Sequence, residues 1–351
     1  MDMQTNPDLI RQVVQRNCHI SDARHASNYT LCVYLLKMRE FYRWEKGHAF
    51  TDSVPNDEMG EWLTARESLW ETLDTAPFAP LPVGGREIDP FETGTINRYL
   101  VPEGQVYSGG IGGRGTPHFF LARLETEIQA EGYHIYVSAE EYARDLTAPP
   151  AMALGTDIFI RRESIRRMLW EKVQEWRGHR LENAMARALQ SYDFDHDLDG
   201  ALEEMTNHEL DAVIHHEIGE VRAGRLLGEA WEQMLCELPH SRAELMVRAV
   251  RDLLADTLST LPRLVETDNR VSLHFYMANL TAMRKDLFPG LTQAYRQWSA
   301  GGDWKAISQA AAQGQAHWSS LGEQILDLHA RLGAQCHEHI ERLVENNRLT
   351  G

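Results

Sequence analysis

The segment HHEIGE at residues 215–220 carries an imidazole and two carboxylates at spacings that allow them to act together. His216 and Glu220 lie four residues apart, so on an α-helix their side chains leave one face on successive turns. A helix over residues 208–235 places Glu217 and Glu220 within its apolar face, with His216 at the edge of that face. The apolar side chains concerned are Leu210, Val213, Val221, Leu227, Trp231 and Leu235. The pattern predicts ionisable groups that face a core.

Burial of an unpaired charge costs several kcal/mol, so these groups must be protonated, paired or bound to a cation. In a first interpretation His216 and Glu220 bind a metal ion, and Glu217 or residues of another helix complete the site. In a second, the carboxylates form an acid–base pair with shifted pKa values. In a third, they are structural partners of buried arginines. HHEIGE is neither the HExxH of zinc peptidases nor the ExxH of ferritin-like sites, so the motif does not choose among them.

A second group of polar residues interrupts a predicted N-terminal helix, residues 8–38. The middle of its inward face and the adjacent flank carry Asn17, Cys18, Ser21, Asp22, Arg24, His25, Asn28 and Tyr29. Such layers predict a polar chamber or a satisfied hydrogen-bond network. Asp22 and His25 are suitable metal ligands, which Cys18 could join. A helix start at Ser21 would change which face these residues share.

These two groups lead to one hypothesis, a metal-dependent enzyme whose site lies between the first helix and the 208–235 helix. The predicted metal ligands are His216, Glu220, Asp22 and His25. Glu217 and Arg24 are the predicted catalytic residues, with Arg24 neutralising Glu217 or holding an anionic substrate. Manganese or magnesium would favour the carboxylates, whereas iron would also use the histidines.

No motif for a haem, a nicotinamide or a flavin is present. The four cysteines are isolated and none belongs to a CxxCH sequence. The glycine-rich segment 108–116 lacks both the P-loop lysine and the strand–GxGxxG–helix context. A mobile loop over the polar chamber is an equally good interpretation of it. The small-molecule substrate stays unidentified.

Three zones of the chain differ in composition. Residues 1–76 have helical periodicity, and residues 77–160 are rich in glycine and proline with short β-like runs. Residues 161–351 are helical again. The predicted strands are 97–101, 118–121 and 133–137, with a helix near 121–131. The expected fold is mainly α, with N-terminal helices on a C-terminal helical bundle and a small β-containing insertion.

Two further stripes in the C-terminal helices have simpler interpretations. Asp252 and Asp256 lie one turn apart but opposite the apolar side chains of a predicted helix 241–262, which predicts a solvated face. The predicted last helix, 303–346, carries an apolar stripe several turns long. Such a stripe could form the contact of a homo-oligomer.

The charge and hydropathy of the chain exclude several classes of partner. Its formal net charge is −17, from 52 acidic and 35 basic residues, so its field repels nucleic acid. The sequence contains no run of eighteen apolar residues, so no membrane span is predicted. No secretory signal is visible at the N-terminus, and a cytoplasmic location with reduced cysteines is expected.

Two other functions remain consistent with these residues. A non-catalytic scaffold or assembly protein would use its acidic surface and long terminal helix for contacts, and its buried ion pairs for packing alone. An all-helical nucleotide pyrophosphatase would use clustered acidic residues with magnesium. Bound metal would separate the first alternative from the metal-dependent enzyme, and nucleotide turnover would test the second.

Four segments together resemble an uncharacterised family of bacterial proteins of about this length. They are CHISDARHA (18–26), YLLKMREFYRWEKG (34–47), HHEIGE (215–220) and HFYMANLTAMRKDLFP (274–289). The resemblance covers most of the chain and implies a cytosolic bacterial protein. It implies no activity and assigns no role to any residue.

Overall fold

The structure is a computed structural model, and it describes residues 6–112, 115–130, 132–179, 181–238 and 241–350. The chain divides into two compact units. The N-terminal unit is Met1–Trp170 and the C-terminal unit is Glu171–Gly351. In the described part of the chain no helix has the length and apolar character that crossing a membrane requires.

The N-terminal unit begins with three helices. They are α1 (Pro7–His25), α2 (Leu31–Lys46) and α3 (Asn56–Glu71), and a short 3₁₀ turn, Ala26–Asn28, follows α1. Asn6 caps α1 because its side chain accepts the N–H groups of Asp8 and Leu9, and Pro7 occupies the first turn. The helix therefore continues through Ser21 and ends at His25. The predicted single helix to residue 38 is wrong. The polar residues from Asn17 to His25 share one continuous helix, whereas Asn28 and Tyr29 follow it.

A mixed five-stranded sheet forms the centre of this unit. Its strands are β3 (Gln105–Ile111), β4 (Pro117–Ala130), β5 (Tyr133–Arg144), β6 (Ala151–Leu154) and β7 (Asp157–Arg161), after a hairpin of β1 (Leu81–Val83) and β2 (Arg86–Ile88). The strand order is β3–β4–β5–β7–β6, and β5 and β7 alone are parallel. The predicted small insertion is thus a sizeable sheet.

Two local predictions in this region are wrong. Residues 121–130 belong to β4 and not to a helix, because β4 is hydrogen-bonded to both β3 and β5 and this pairing outweighs local propensity. Residues 97–100 lie in helix α4 (Thr93–Leu100) and not in a strand. The side chain of Asn97 exchanges two hydrogen bonds with the main chain of Tyr107, which ties this helix to β3.

Helix α1 packs on β4 and β5 through its apolar face. The buried side chains of this core include Ile10, Val14 and Cys18 of α1 with Phe119, Leu121 and Ala143 of the strands. An ion pair is buried beside the sheet, where Arg161 donates to both carboxylate oxygens of Glu141 at 3.0 and 2.8 Å. The sheet therefore holds the C-terminal half of α1 against the first residues of β4.

The C-terminal unit is helical. Its elements are α5 (Arg162–His179, which begins in the N-terminal unit), α6 (Ala184–Leu189), α7 (Leu198–Leu227), α8 (Glu229–Glu237), α9 (Arg242–Ala255), α10 (Leu261–Glu266), α11 (Arg270–Asn279), α12 (Ala282–Leu287), α13 (Pro289–Ser299), α14 (Lys305–Leu332) and α15 (His337–Asn346). Pro289 begins α13, and the Gly301-Gly302 pair lies between α13 and α14. Gly228, with a φ of 74°, divides the predicted 208–235 helix. The fold as a whole is mainly α, as expected.

A π-helix, Asp256–Thr260, joins α9 to α10. Pro262 is the physical reason, because it has no N–H to donate and its ring would clash with the carbonyl of Leu258 four residues earlier. The widened turn directs the N–H of Leu261 to the carbonyl of Asp256. Arg222 of α7 donates to the freed Leu258 carbonyl at 3.3 Å, so the irregular turn is tied to α7.

The apolar stripe of α14 belongs to the core of the C-terminal unit. Trp318, Leu321 and Ile325 are almost fully buried among side chains of α7 to α9. The predicted last helix is broken at Gly333, where α14 gives way to a 3₁₀ turn and α15. Intramolecular packing thus accounts for this part of the stripe.

Candidate functional site

A cavity of about 280 Å³ lies at the C-terminal end of α1. Its polar lining includes Asp22, His25, Tyr29, Thr116, His118 and Thr147. These residues come from the last turns of α1, the 3₁₀ turn after it, the start of β4 and the segment that follows β5. The structure therefore brings two predicted ligands, Asp22 and His25, to one cavity and adds a histidine that was not predicted.

Asp22 supplies a buried carboxyl group to this cavity, with only 5% of the residue exposed. Its Oδ1 accepts the N–H of Leu146 at 2.9 Å, whereas its buried Oδ2 has no hydrogen-bond partner in the described part of the chain. Burial, reinforced by the negative charge of Asp145, raises the pKa of Asp22 well above its ordinary value. The protonated acid, which has a proton to donate, is therefore favoured.

His118 is held in one orientation by a buried carboxylate. Its Nδ1 lies 3.0 Å from Oδ2 of Asp145, which also accepts the N–H of Phe119 at 3.3 Å, while Oδ1 of Asp145 accepts the N–H of Ala148 at 2.6 Å. Burial alone would raise the pKa of Asp145, but the charge and hydrogen bond of His118 hold that pKa below its ordinary value. An ionised Asp145 accepts the Nδ1–H of His118, so in the neutral form of the ring Nε2 is the nitrogen that can accept a proton.

The glycine-rich segment packs on this histidine. A Cβ atom built on Gly112 would lie 2.8 Å from Nε2 of His118, so a larger residue would need the ring to move. Gly112 also donates its N–H to the carbonyl of Thr116 at 2.8 Å. Residues 113–114 of this segment, Arg114 among them, lie outside the described residues. The described part of the glycine-rich segment therefore borders the cavity next to Nε2 of His118.

Three more groups complete the surroundings. Burial lowers the pKa of His25, and the charges of Arg24 and His118 lower it further, so the neutral imidazole is favoured. The hydroxyls of Tyr29 and Thr147 lie 2.7 Å apart. Cys18 donates to the Phe119 carbonyl, and burial raises the pKa of its thiol, so it is a packing residue.

Arg24 leaves the exposed side of α1 and binds main-chain carbonyls. Its Nε donates to the carbonyl of Asp74 at 2.8 Å, its Nη2 donates to that of Ala76, and its guanidinium lies over the ring of Phe78. These contacts anchor the segment after α3. Its predicted catalytic role has no support in these contacts and stays a prediction.

The other predicted residues lie in the C-terminal unit, where His216 contacts a buried carboxylate. Its Nδ1 lies 2.9 Å from Oδ1 of Asp256, the first residue of the π-helix. Tyr276 donates to Oδ2 of Asp256 at 2.8 Å, and Arg284 forms an ion pair with it. Asp256 is 0% exposed, so the predicted solvated face is wrong at this residue. Both sides of α9 and the following π-helix pack against other helices.

Glu220 and Glu217 have different surroundings. Glu220 forms an ion pair with Arg251 at 3.0 Å, and Arg251 also donates to Glu232, so Glu220 fits the interpretation as a structural partner of an arginine. Burial, with a smaller contribution from the charge of Glu220, raises the pKa of Glu217 to about 7, although the charge of His216 opposes part of this increase. Glu217 therefore fits the acid–base interpretation better than the metal one.

The predicted metal ligands divide between the two units, with Asp22 and His25 in one and His216 and Glu220 in the other. Within the described ranges no three His, Cys, Asp or Glu side chains are arranged to hold a metal ion. The metal site stays a prediction. Two side chains that sequence reasoning missed, His118 and Asp145, are 27 residues apart and meet at the ends of β4 and β5.

Comparison with known proteins returns one family. Residues 9–161 match the N-terminal domain and residues 166–347 the C-terminal domain of a family of unknown function, DUF6866. The matches meet close to the division between the two compact units. No curated protein and no solved structure matches the chain.

Proposed function

Because the chain belongs to DUF6866, a family of unknown function, we propose a function from its own side chains. The N-terminal unit catalyses proton transfer on a small polar substrate, with His118 as the base and Asp22 as the acid. The observation that carries this proposal is the cavity that both residues line. There His118 is fixed by Asp145, and Oδ2 of Asp22 has no partner in the described residues.

The reaction that best fits this pair is enolisation of a small carbonyl compound. Nε2 of His118 takes a proton from the carbon beside the carbonyl group, and Asp145 stabilises the imidazolium that results. The carboxylic acid of Asp22 gives its proton to the carbonyl oxygen as negative charge develops there. The imidazolium then gives its proton to the same carbon or to the former carbonyl carbon, and the Asp22 carboxylate takes a proton from an enol hydroxyl group, so that both residues are restored without any co-reactant.

The size and chemistry of the cavity limit the substrate. A volume of about 280 Å³ lies at the lower end of the range for small-molecule sites. The Tyr29 and Thr147 hydroxyls and the half-buried His25 give it polar walls. A compound of a few carbon atoms with several oxygen atoms fits these walls better than a large apolar molecule.

Proton abstraction can be measured without knowledge of the product. The protein is incubated in D₂O with pyruvate, acetoacetate or dihydroxyacetone, and replacement of C–H by C–D is followed by proton NMR. We expect catalysed exchange with at least one compound. The variants His118→Asn and Asp22→Asn should each lower the exchange rate by about 100-fold or more.

A matched control is His48→Asn, because His48 is a half-buried histidine of the same unit outside the cavity. It should exchange at the rate of the unaltered protein. Far-UV circular dichroism of each variant shows whether the fold is retained. The proposal is refuted if no compound exchanges above the buffer rate, or if folded His118→Asn is as active as the control.

The interpretations left open by the sequence give different results in this experiment. A metal-dependent enzyme would lose its exchange activity on dialysis against EDTA, whereas the acid–base pair retains it. A scaffold would show no exchange in any variant. A magnesium-dependent pyrophosphatase would hydrolyse nucleoside triphosphates and would be indifferent to substitution of His118. What supports the acid–base pair is the cavity that His118 and Asp22 line together.

A further inference from the structure

A second cavity, of about 420 Å³, lies in the C-terminal unit and is rich in basic side chains. Arg187 of α6, Lys285 of α12 and Arg296 of α13 line it together with one carboxylate, Glu182. Three cations at one concave site are unexpected in a chain whose net charge is −17. All three side chains are exposed, so solvent screens their mutual repulsion and their charges remain accessible to an anion.

Within the described residues, the three cations have no acidic partner. No acidic side chain in the described part of the chain forms an ion pair with Arg187, Lys285 or Arg296. The carboxylate next in sequence to Lys285, Asp286, pairs instead with Arg348 at 2.9 Å. The cavity therefore keeps an excess of positive charge that a ligand can use.

Arg187 lies close to Tyr295, a buried residue that also lines the cavity, and its positive charge opposes the rise that burial causes in the pKa of the Tyr295 hydroxyl. The same hydroxyl lies 2.8 Å from Nδ1 of His274. Burial, with the charges of Arg187 and Arg270, lowers the pKa of His274, so its neutral imidazole accepts the Tyr295 proton. This hydrogen bond fixes the Tyr295 hydroxyl in the wall of the cavity, beside the basic side chains.

We propose that this cavity binds a small phosphorylated molecule. Arginine side chains donate in a planar fork that matches phosphate oxygens, and a lysine adds a mobile point charge. Asn183 and Thr292 also line the cavity and supply uncharged donors, while Met277 and the Tyr295 ring supply an apolar wall. The volume accommodates one or two phosphate groups with a small organic part. A nucleic-acid strand fits poorly, because the positive charge is confined to one cavity on an acidic protein.

Titration calorimetry of the full chain tests this site with inorganic phosphate, pyrophosphate and citrate at constant ionic strength. We expect saturable 1:1 binding of phosphate or pyrophosphate. Lys285→Gln and Arg296→Gln should each weaken it by about 10-fold, the equivalent of about 1.4 kcal/mol. Arg342→Gln removes an exposed arginine of α15, outside the cavity, and should leave the affinity unchanged.

One further variant shifts the affinity in the opposite direction. Glu182→Gln removes the only carboxylate in the lining and should tighten binding by about 3-fold, a gain that damage to the fold would not produce. The proposal is overturned if no phosphate compound binds saturably, or if citrate binds more tightly than pyrophosphate. It is also overturned if Arg342→Gln weakens binding as much as Arg296→Gln does.

Discussion

Glu209 offers the clearest link between one buried group and the pH dependence of stability. This residue of α7 is only 3% exposed, and its Oε1 accepts a hydrogen bond from the hydroxyl of Ser272 at 2.8 Å. Burial raises its pKa from 4.5 to about 8, and the hydrogen bond from Ser272 offsets only part of that increase. The folded protein therefore keeps this proton at pH values where the unfolded chain has lost it.

The sign and the size of the effect follow from linkage. Between about pH 4.5 and 8 the folded state binds more protons at this site than the unfolded state, so the free energy of unfolding falls as the pH rises. Above pH 8 both states are ionised and the loss is complete. A shift of about 3.5 pKa units, at 1.36 kcal/mol per unit, sets an upper limit of about 5 kcal/mol.

The variant Glu209→Gln removes this titration and keeps the shape of the side chain. Urea unfolding of both proteins is followed by circular dichroism at pH 5, 6, 7, 8 and 9. We expect similar free energies of unfolding near pH 5. As the pH rises, the variant should become increasingly more stable than the unaltered protein, by several kcal/mol at pH 9.

Glu323→Gln is a suitable control, because Glu323 is an exposed carboxylate in the middle of α14. Its difference from the unaltered protein should not depend on pH over this range. A difference in free energy of unfolding between Glu209→Gln and the unaltered protein that is constant with pH would contradict a raised pKa of Glu209. An unaltered protein that becomes more stable than the variant as the pH rises would also contradict it, since that result would require an ionised and paired Glu209.

Two predictions concern other ionisable groups. Glu141→Gln should lower the free energy of unfolding of the N-terminal unit by about 3–5 kcal/mol, because it leaves the charge of Arg161 buried without its bidentate partner. Urea unfolding measures this change, and a decrease of less than about 1 kcal/mol would contradict the prediction. Carbon-13 NMR of Glu217 should show a titration midpoint near pH 7, which Asp252→Asn lowers because the Asp252 charge raises the pKa of Glu217. A midpoint near 4.5 in the unaltered protein would contradict the burial of that carboxyl.

The helices of both units could be predicted because their information is local. Apolar residues repeat with helical period along each helix. Pro289 and the Gly301-Gly302 pair mark helix boundaries, because proline and glycine interrupt a helix whatever its surroundings. The helix predicted over residues 121–131 failed for the opposite reason. Those residues belong to β4, whose hydrogen-bond partners come from β3 and β5 and are invisible to any local pattern.

The candidate site was only partly predictable. Asp22 and His25 stood out because they place polar groups on a helix that is apolar at both ends. His118 and Asp145 carry no such signal, since each lies beside the end of a strand among ordinary residues. They meet because the register of β4 and β5 brings Phe120 opposite Arg144, which leaves their neighbours within hydrogen-bond distance.

The sequence by itself determined which side chains are ionisable and, along α1 and α7, which of them are neighbours on the helix. Only the tertiary structure decided the protonation and partners of those groups, because both depend on atoms distant in the sequence. Glu220 and Glu217 show the difference, since they lie one turn apart on α7. An arginine of α9 reaches Glu220, whereas burial without such a partner raises the pKa of Glu217 to about 7. The energy of a buried charge is set by its immediate surroundings, and the fold assembles those surroundings.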